Sequence, residues 1–284
     1  GANEAIGVNA LFANTTASNN VAMGTNALTA NTTGNYNVAI GTSAFLSNTT
    51  GEQNVAIGAL ASDASTSANF ITAVGMGAGG GITTGHGNTM IGYYAGNYTN
   101  ITTTGTYNVV MGAYCHVAAA TESKAVAIGY NVGGSGGYTT FGDGGSDIRA
   151  QHGVATWSTV SDERVKKDIV DSTAGLSFIN DLKPRTFKYK DCGDLPETFN
   201  GYVEGSTDSF KNSQTNHGFI AQEVKTAIDN HPEIKDGFKM WDVREPTGQQ
   251  EIAEAALIPI LVKALQEADD KIEALTTRIK ALEG

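Results

Sequence analysis

Along the first 130 positions, apolar residues come in short runs, and each run ends in glycine. Ala5-Ile6-Gly7, Ala22-Met23-Gly24, Ala39-Ile40-Gly41, Ala56-Ile57-Gly58, Ala73-Val74-Gly75, Met90-Ile91-Gly92, Val110-Met111-Gly112 and Ala127-Ile128-Gly129 share one pattern. Glycines 7, 24, 41, 58, 75 and 92 are spaced by 17 residues. The next spacing is 20, through an insertion near Thr102-Thr103-Thr104, and 17 then returns. Asn opens most units (Asn3, Asn20, Asn37, Asn54, Asn88, Asn108), and a small residue stands three positions after each glycine (Ala10, Ala27, Ala44, Ala61, Ala78, Ala95, Cys115). Asn31-Thr32-Thr33-Gly34 and Asn48-Thr49-Thr50-Gly51 between units are turn chemistry.

Alternation within each run predicts a short strand, with Val21 and Met23 on one side and Ala22 on the other. Glycine breaks it, and a second short strand and a turn complete the unit. So small a unit buries no face by itself, so stacked copies predict a β-solenoid or β-roll. The repeated small residue marks close backbone approach, which makes Cys115 a buried small hydrophobe.

After residue 130 the pattern changes. Gly133-Gly134-Ser135-Gly136-Gly137 and Gly142-Asp143-Gly144-Gly145-Ser146 form a glycine-rich join. Ala155–Val160 reads as a strand, Ala174–Leu182 as a short amphipathic helix, Arg185–Tyr189 and His217–Ala221 as strands and Gln222–Ile228 as a helix, together a small α+β domain. Ile258, Leu261, Leu265, Ala268, Ile272, Leu275, Ile279 and Leu282 alternate spacings of 3 and 4, a coiled-coil seam of about four heptads. The expected fold class is therefore mainly β: a trimeric β-roll of 17-residue repeats, a small α+β domain and a trimeric coiled coil. The expected domains are 1–132 for the roll, 133–160 for a glycine-rich linker and strand, 161–256 for the α+β domain and 257–284 for the coiled coil. A side-by-side roll favours three chains over the dimer that Ile and Leu in the seam would specify.

Charge divides along the same line. Residues 1–130 hold one basic residue, Lys124, and four acids, Glu4, Glu52, Asp63 and Glu122. The rest of the 18 basic and 29 acidic residues lie beyond, for a net charge of −11 over 284 residues. That balance argues against nucleic acid and anionic membrane as partners. No apolar run reaches the roughly 18 residues of a membrane span. The two cysteines form no disulfide framework. A chain that opens in mid-pattern is expected to be part of a longer protein.

The roll offers little chemistry. Hydrolysis of a glycan needs two carboxylates flanking the bond, and four scattered acids do not supply a repeated pair. Tyr93, Tyr94 and Tyr98 lie near the irregular units as a sugar-stacking patch or, more simply, as turn residues packed on the roll. His86 and His116 lack ligand spacing. Asp143 and Asp147 fall short of a calcium loop. No metal and no cofactor is expected.

Two resemblances follow from these residues. The Asn-Val-Ala-Ile-Gly unit, over residues 3–132, resembles the head repeats of trimeric bacterial adhesins, which form a left-handed parallel β-roll. Four motifs in order resemble the C-terminal intramolecular chaperone, auto-processing domain of phage tailspikes, endosialidases and tail fibres. These are Ser161-Asp162 with Lys166, Leu182-Lys183-Pro184 with Phe187 and Tyr189, His217-Gly218-Phe219-Ile220-Ala221-Gln222-Glu223-Val224, and the terminal seam.

That resemblance implies a homotrimer in a phage tail, made in the host cytoplasm. Its chaperone helps the upstream part of the fibre fold and then cuts itself off between Val160 and Ser161. It implies a dyad of Ser161 and Lys166, with Asp162 positioning the serine or a water and His217 a further polar group, in this chain or a neighbour. The chemistry is consistent: a serine needs a base, and burial or a neighbouring cation favours the neutral lysine that can serve. Arg164 and Lys167 flank Lys166. The plainer alternatives are a helix cap for Ser161 or Asp162, a solvated helix residue for Lys166 and a structural histidine for His217. The receptor is a host-surface glycan or protein. Rival readings are a bacterial or prophage trimeric adhesin with a non-cleaving chaperone, and a glycan-degrading tailspike.

Overall fold

The computed structural model describes residues 1–283. The chain parts into two compact units, Gly1–Lys167 and a second beginning at Asp168.

The first unit is a β-solenoid built as the 17-residue period requires. One three-residue strand comes from each turn: β1 (Glu4–Ile6), β2 (Val21–Met23), β3 (Val38–Ile40), β4 (Val55–Ile57), β5 (Thr72–Val74), β6 (Thr89–Ile91) and β7 (Val109–Met111). The next elements are β8 (His116–Val117), β9 (Val126–Gly129) and β10 (Gly133–Gly134). Strands β1 to β7 and then β9 pair in parallel, each residue against its counterpart in the next repeat, so Ala22 faces Ala39 and Ala39 faces Ala56. The insertion does not disturb this register, because β6 still sets Ile91 against Met111.

Strands β2 to β7 and β9 turn a residue of this column inward, while Ala5 of β1, at the end of the stack, is exposed. Ala22, Ala39, Ala56, Ala73, Met90, Val110 and Ala127 are fully buried, as are Ala27, Ala44, Ala61, Ala78, Ala95 and Cys115 of the small-residue column. Alanine suits an interior this narrow, where backbones rather than side chains set the spacing. The strand-ending glycines are required twice over. Gly41 has φ of +134°, and a Cβ on it would stand 2.6 Å from the carbonyl carbon of Gly58.

The asparagines form a second column. Asn37 Oδ1 accepts the backbone N–H of Asn54 at 3.1 Å, and Asn54 Oδ1 accepts that of Ile71 at 2.8 Å. Their Nδ2 groups donate to Gly51 O at 2.8 Å and Ala68 O at 2.9 Å. Buried amides are tolerated here because both ends are bonded.

The expected second strand of each unit is replaced by turns. Asn26 and Leu28, with φ of 60° and 50°, curl the chain instead of extending it. The rungs still exchange hydrogen bonds there, as from Leu28 N to Ala44 O at 3.0 Å. Only β8 and β10 pair as strands in this part of the repeat.

The glycine-rich stretch continues the sheet. β11 (Tyr138–Gly142) adds in parallel to β9, and β12 (Ile148–Gln151) and β13 (Trp157–Thr159) follow antiparallel. The Asp143 and Asp147 carboxylates close the β11–β12 turn by accepting backbone N–H groups of Gly144, Gly145 and Ser146.

The second unit contains α1 (Leu176–Asp181), β14 (Arg185–Phe187), β15 (Asn216–Gly218), α2 (Ala221–Asp229), α3 (Pro232–Lys235), β16 (Trp241–Arg244), β17 (Gln249–Ile252) and α4 (Ile258–Glu283). Its core gathers Ala174, Phe178, Val224, Ala227, Ile228, Met240, Leu257 and Ile260. Helix α4 buries Ile260 and Ala264, while the seam residues Ile258, Leu261, Leu265, Ile272, Leu275, Ile279 and Leu282 face outward. Among the described residues, no helix is long and apolar enough to cross a membrane.

Candidate functional site

Strand β13 ends at Thr159, and the chain runs into a fully exposed segment. Val160 shares a hollow of about 220 Å³ with Thr140, Asp147, Arg149 and Ser158. Asp162 caps a short 3-10 turn over Glu163–Val165, and the chain is extended again at Lys166. The helix expected after Ser161 is limited to this turn, because the segment buries no residue to pay for more order.

The turn folds Lys166 back onto Ser161: Lys166 Nζ donates to Ser161 Oγ at 2.8 Å. Asp162 serves a different neighbour. Its Oδ1 accepts both the backbone N–H and the Nε–H of Arg164 at 2.9 Å, and its Oδ2 accepts Arg164 Nη2 at 2.6 Å. The side-chain and backbone bonds from Arg164 hold the Asp162 carboxyl below its ordinary value. Arg164, expected as a cation beside Lys166, is thus paired with a carboxylate. The Ser161–Lys166 pair itself is open to water, so nothing in the single chain strips the lysine of solvent.

His217 lies on β15 in the second unit, opposite Thr186 on β14. It lines an open cleft of about 720 Å³ with Phe187, Tyr189, Phe219, Arg244 and Glu254. The two sequence motifs meet in this unit. The Arg185 guanidinium donates to both Glu223 oxygens, at 2.6 and 2.9 Å, and so ties β14 to the start of α2. That bidentate pair holds the Glu223 carboxyl below its usual range.

Two features escaped sequence reasoning, and a third, the tyrosine patch, is larger than the sequence suggested. Arg149 borders the hollow at Val160, and its guanidinium lies 4.9 Å from the Tyr138 ring centre. His231, nearly buried, has Glu233 Oε1 at 2.8 Å from Nδ1 and Asp181 Oδ2 at 2.9 Å from Nε2. Tyr114 gathers Tyr93, Tyr98 and Tyr130 around it. Asp181 lies 50 residues from His231, and Tyr114 and Tyr130 come from other rungs than Tyr93, so these partners leave no local spacing signal.

No curated protein and no solved structure matches the chain. Residues 161–231 match a family model, that of the chaperone of endosialidase. The match opens on Ser161 and takes in Lys166, the Arg185–Glu223 pair and His217. With a β-solenoid before it, the match fits an endosialidase-type chaperone domain and supports a tail fibre-like protein.

Proposed function

We propose that the chain is the C-terminal part of a phage tail fibre or tailspike. In this reading its β-roll is the host-facing part, folded as a homotrimer by a chaperone domain that then cuts the Val160–Ser161 bond. The observation that carries the cleavage is the 2.8 Å bond between Lys166 Nζ and Ser161 Oγ at the first residue of the family match.

The reaction balances within the chain and one water. Ser161 Oγ forms a bond to the Val160 carbonyl carbon while its proton passes to the neutral amine of Lys166. The C–N bond of Val160–Ser161 breaks, and Lys166 returns the proton to the departing Ser161 nitrogen. The resulting ester is hydrolysed, leaving a Val160 carboxylate and a free Ser161 hydroxyl.

A lysine acts as base only when neutral, a form that removal of water favours. Ser161 and Lys166 are both exposed in one chain. We therefore assign the covering of the site to trimer assembly, which makes cleavage follow folding. Loss of the chaperone then leaves the fibre kinetically trapped.

Support for the trimer lies in two unpartnered apolar surfaces. One is the outward seam of α4. The other is the row Ile6, Met23, Ile40, Ile57, Val74, Ile91, Met111, Ile128 and Phe141, paired strand to strand along the outer face of the solenoid. Such a row on a lone chain marks an association surface.

The exposure of the dyad and the engagement of Asp162 by Arg164 favour a second reading, a chaperone that trimerises without cutting. Electrophoresis of denatured wild type beside Ser161→Ala and Lys166→Ala separates the two. Cleavage predicts two fragments from wild type and one band from each variant. A single wild-type band supports the second reading.

A further inference from the structure

The regular rungs of the solenoid carry no aromatic cluster, but the irregular ones do. Tyr114 packs edge-on against Tyr93 at 5.3 Å and Tyr130 at 5.9 Å, and Tyr98 lies tilted at 4.6 Å. Tyr93 also meets Tyr94 at 4.8 Å. Tyr93, Tyr98 and Tyr130 are 44%, 50% and 57% exposed, so the cluster presents ring faces and hydroxyls to solvent.

Its position follows from two sequence irregularities that fit each other. The repeat after Gly92 carries the three extra residues, and the preceding repeat is stripped to Gly77, Gly79, Gly80 and Gly81. A Cβ on Gly77 would stand 3.1 Å from the Tyr94 ring, one on Gly80 2.5 Å from Asn97 Nδ2, and one on Gly81 1.7 Å from Ile101 Cγ2. The glycines are the shelf on which the insertion lies, and Tyr98 rides on it. Tyr94 and Tyr114 adopt left-handed φ of 52° and 59°, where bulky residues are uncommon. Rings packed against Tyr114 in this way lose little freedom on binding.

The surroundings select the ligand. Residues 64–121 contain no Asp, Glu, Lys or Arg. The nearest acid in sequence before them, Asp63, stands with Asn97 over Gly80 and would repel an anion. Desolvation first, and then the neighbouring tyrosines, push the Tyr114 hydroxyl up from its ordinary value, which keeps it a neutral donor. The backbone N–H of Tyr130 bonds to Gly142 O at 3.2 Å, next to the turn that carries Asp143 and Asp147, and these acids too disfavour an anion. Ring faces and hydroxyls match a neutral pyranose, which has C–H groups on one face and hydroxyls around its edge.

We propose that the Tyr93, Tyr98, Tyr114 and Tyr130 cluster binds a neutral pyranose chain of a cell-surface polysaccharide. The proposal rests on the reading of the roll as the host-facing part of a tail fibre.

The test is native electrophoresis of the full chain in gels cast with dextran, mannan or laminarin, and with alginate as the anionic probe. Tyr98→Ala with Tyr130→Ala is compared with Tyr36→Ala and Tyr107→Ala, exposed tyrosines outside the cluster. Retardation by at least one neutral polysaccharide is expected, weakened about tenfold or more in Kd by the double change. Melting temperature and sedimentation should stay constant, and the Tyr36 and Tyr107 variants should bind as wild type. The proposal is overturned by retardation from none of the three neutral polymers or from alginate alone. Retardation that survives the double change overturns it too. A double variant with altered oligomeric state would make the cluster a contact between copies, also against the proposal. A cut trimer that binds no glycan removes this site alone, whereas an uncut monomer removes the functional reading beneath it.

Discussion

Glu267 caps a helix 91 residues away: its Oε2 accepts the backbone N–H of Leu176 at 2.9 Å. Gly175, at the N-cap of α1, supplies no side chain of its own, and a Cβ there would stand 2.5 Å from Glu267 Oε1. The contact fixes α4 against α1 by its buried side and leaves the heptad seam facing outward. Glu267→Ala should lower stability by about 1 kcal/mol, the usual worth of a side-chain cap. Chemical denaturation at neutral pH measures it, and an unchanged midpoint would remove the cap.

The outward seam predicts association. Leu265→Glu with Ile272→Glu places charge on a surface that a partner helix would bury. Sedimentation of the uncut Ser161→Ala chain should give three times 29.5 kDa, and adding the double change to it should dissociate the assembly at micromolar concentration. A monomeric Ser161→Ala chain would contradict the trimer.

The asparagine column predicts where the solenoid is fragile. Asn54→Ala leaves the Ile71 N–H and the Ala68 carbonyl without their partners in a dry interior. Each orphan costs roughly 1–3 kcal/mol. Asn35→Ala, at the exposed edge, should change the melting temperature far less.

His231 predicts a pH dependence. Burial alone would push its pKa down, but the hydrogen bonds of Glu233 and Asp181 outweigh it and hold the group above its ordinary value. A histidine raised on folding contributes stability that is complete below its unfolded pKa of about 6.5 and is lost as pH rises through the folded value. Glu233, held low first by His231, contributes above its unfolded value and loses that as pH falls through the depressed one. Unfolding of the second unit should therefore ease as pH rises above about 6.5, and His231→Gln should flatten that slope. An identical slope in the variant would refute the assignment.

The glycine spacing was enough to read the solenoid and its register, because each repeat pairs with its own copy and one period sets every contact. The second strand of each unit was misread. Left-handed backbone suits Asn26, but Leu28 has no intrinsic preference for it, so the sequence alone does not place the turn there. Ser161 and Lys166, paired in the sequence by a resemblance, lie within hydrogen-bond reach, and their catalytic role stands as the proposal. The diversion of Asp162 to Arg164 was not legible, since it depends on a turn only three residues long. Contacts such as Asp181 with His231 or Glu267 with Leu176 join distant segments and leave no local trace.

The most direct test of the account is the intact mass of freshly expressed, denatured protein, read beside Ser161→Ala. The account predicts that wild type yields two pieces, the second beginning Ser161-Asp162-Glu163, and that Ser161→Ala stays whole at 29.5 kDa while still forming trimers. A wild type that remains whole as a folded trimer, or a Ser161→Ala chain cut at the same bond, would contradict it.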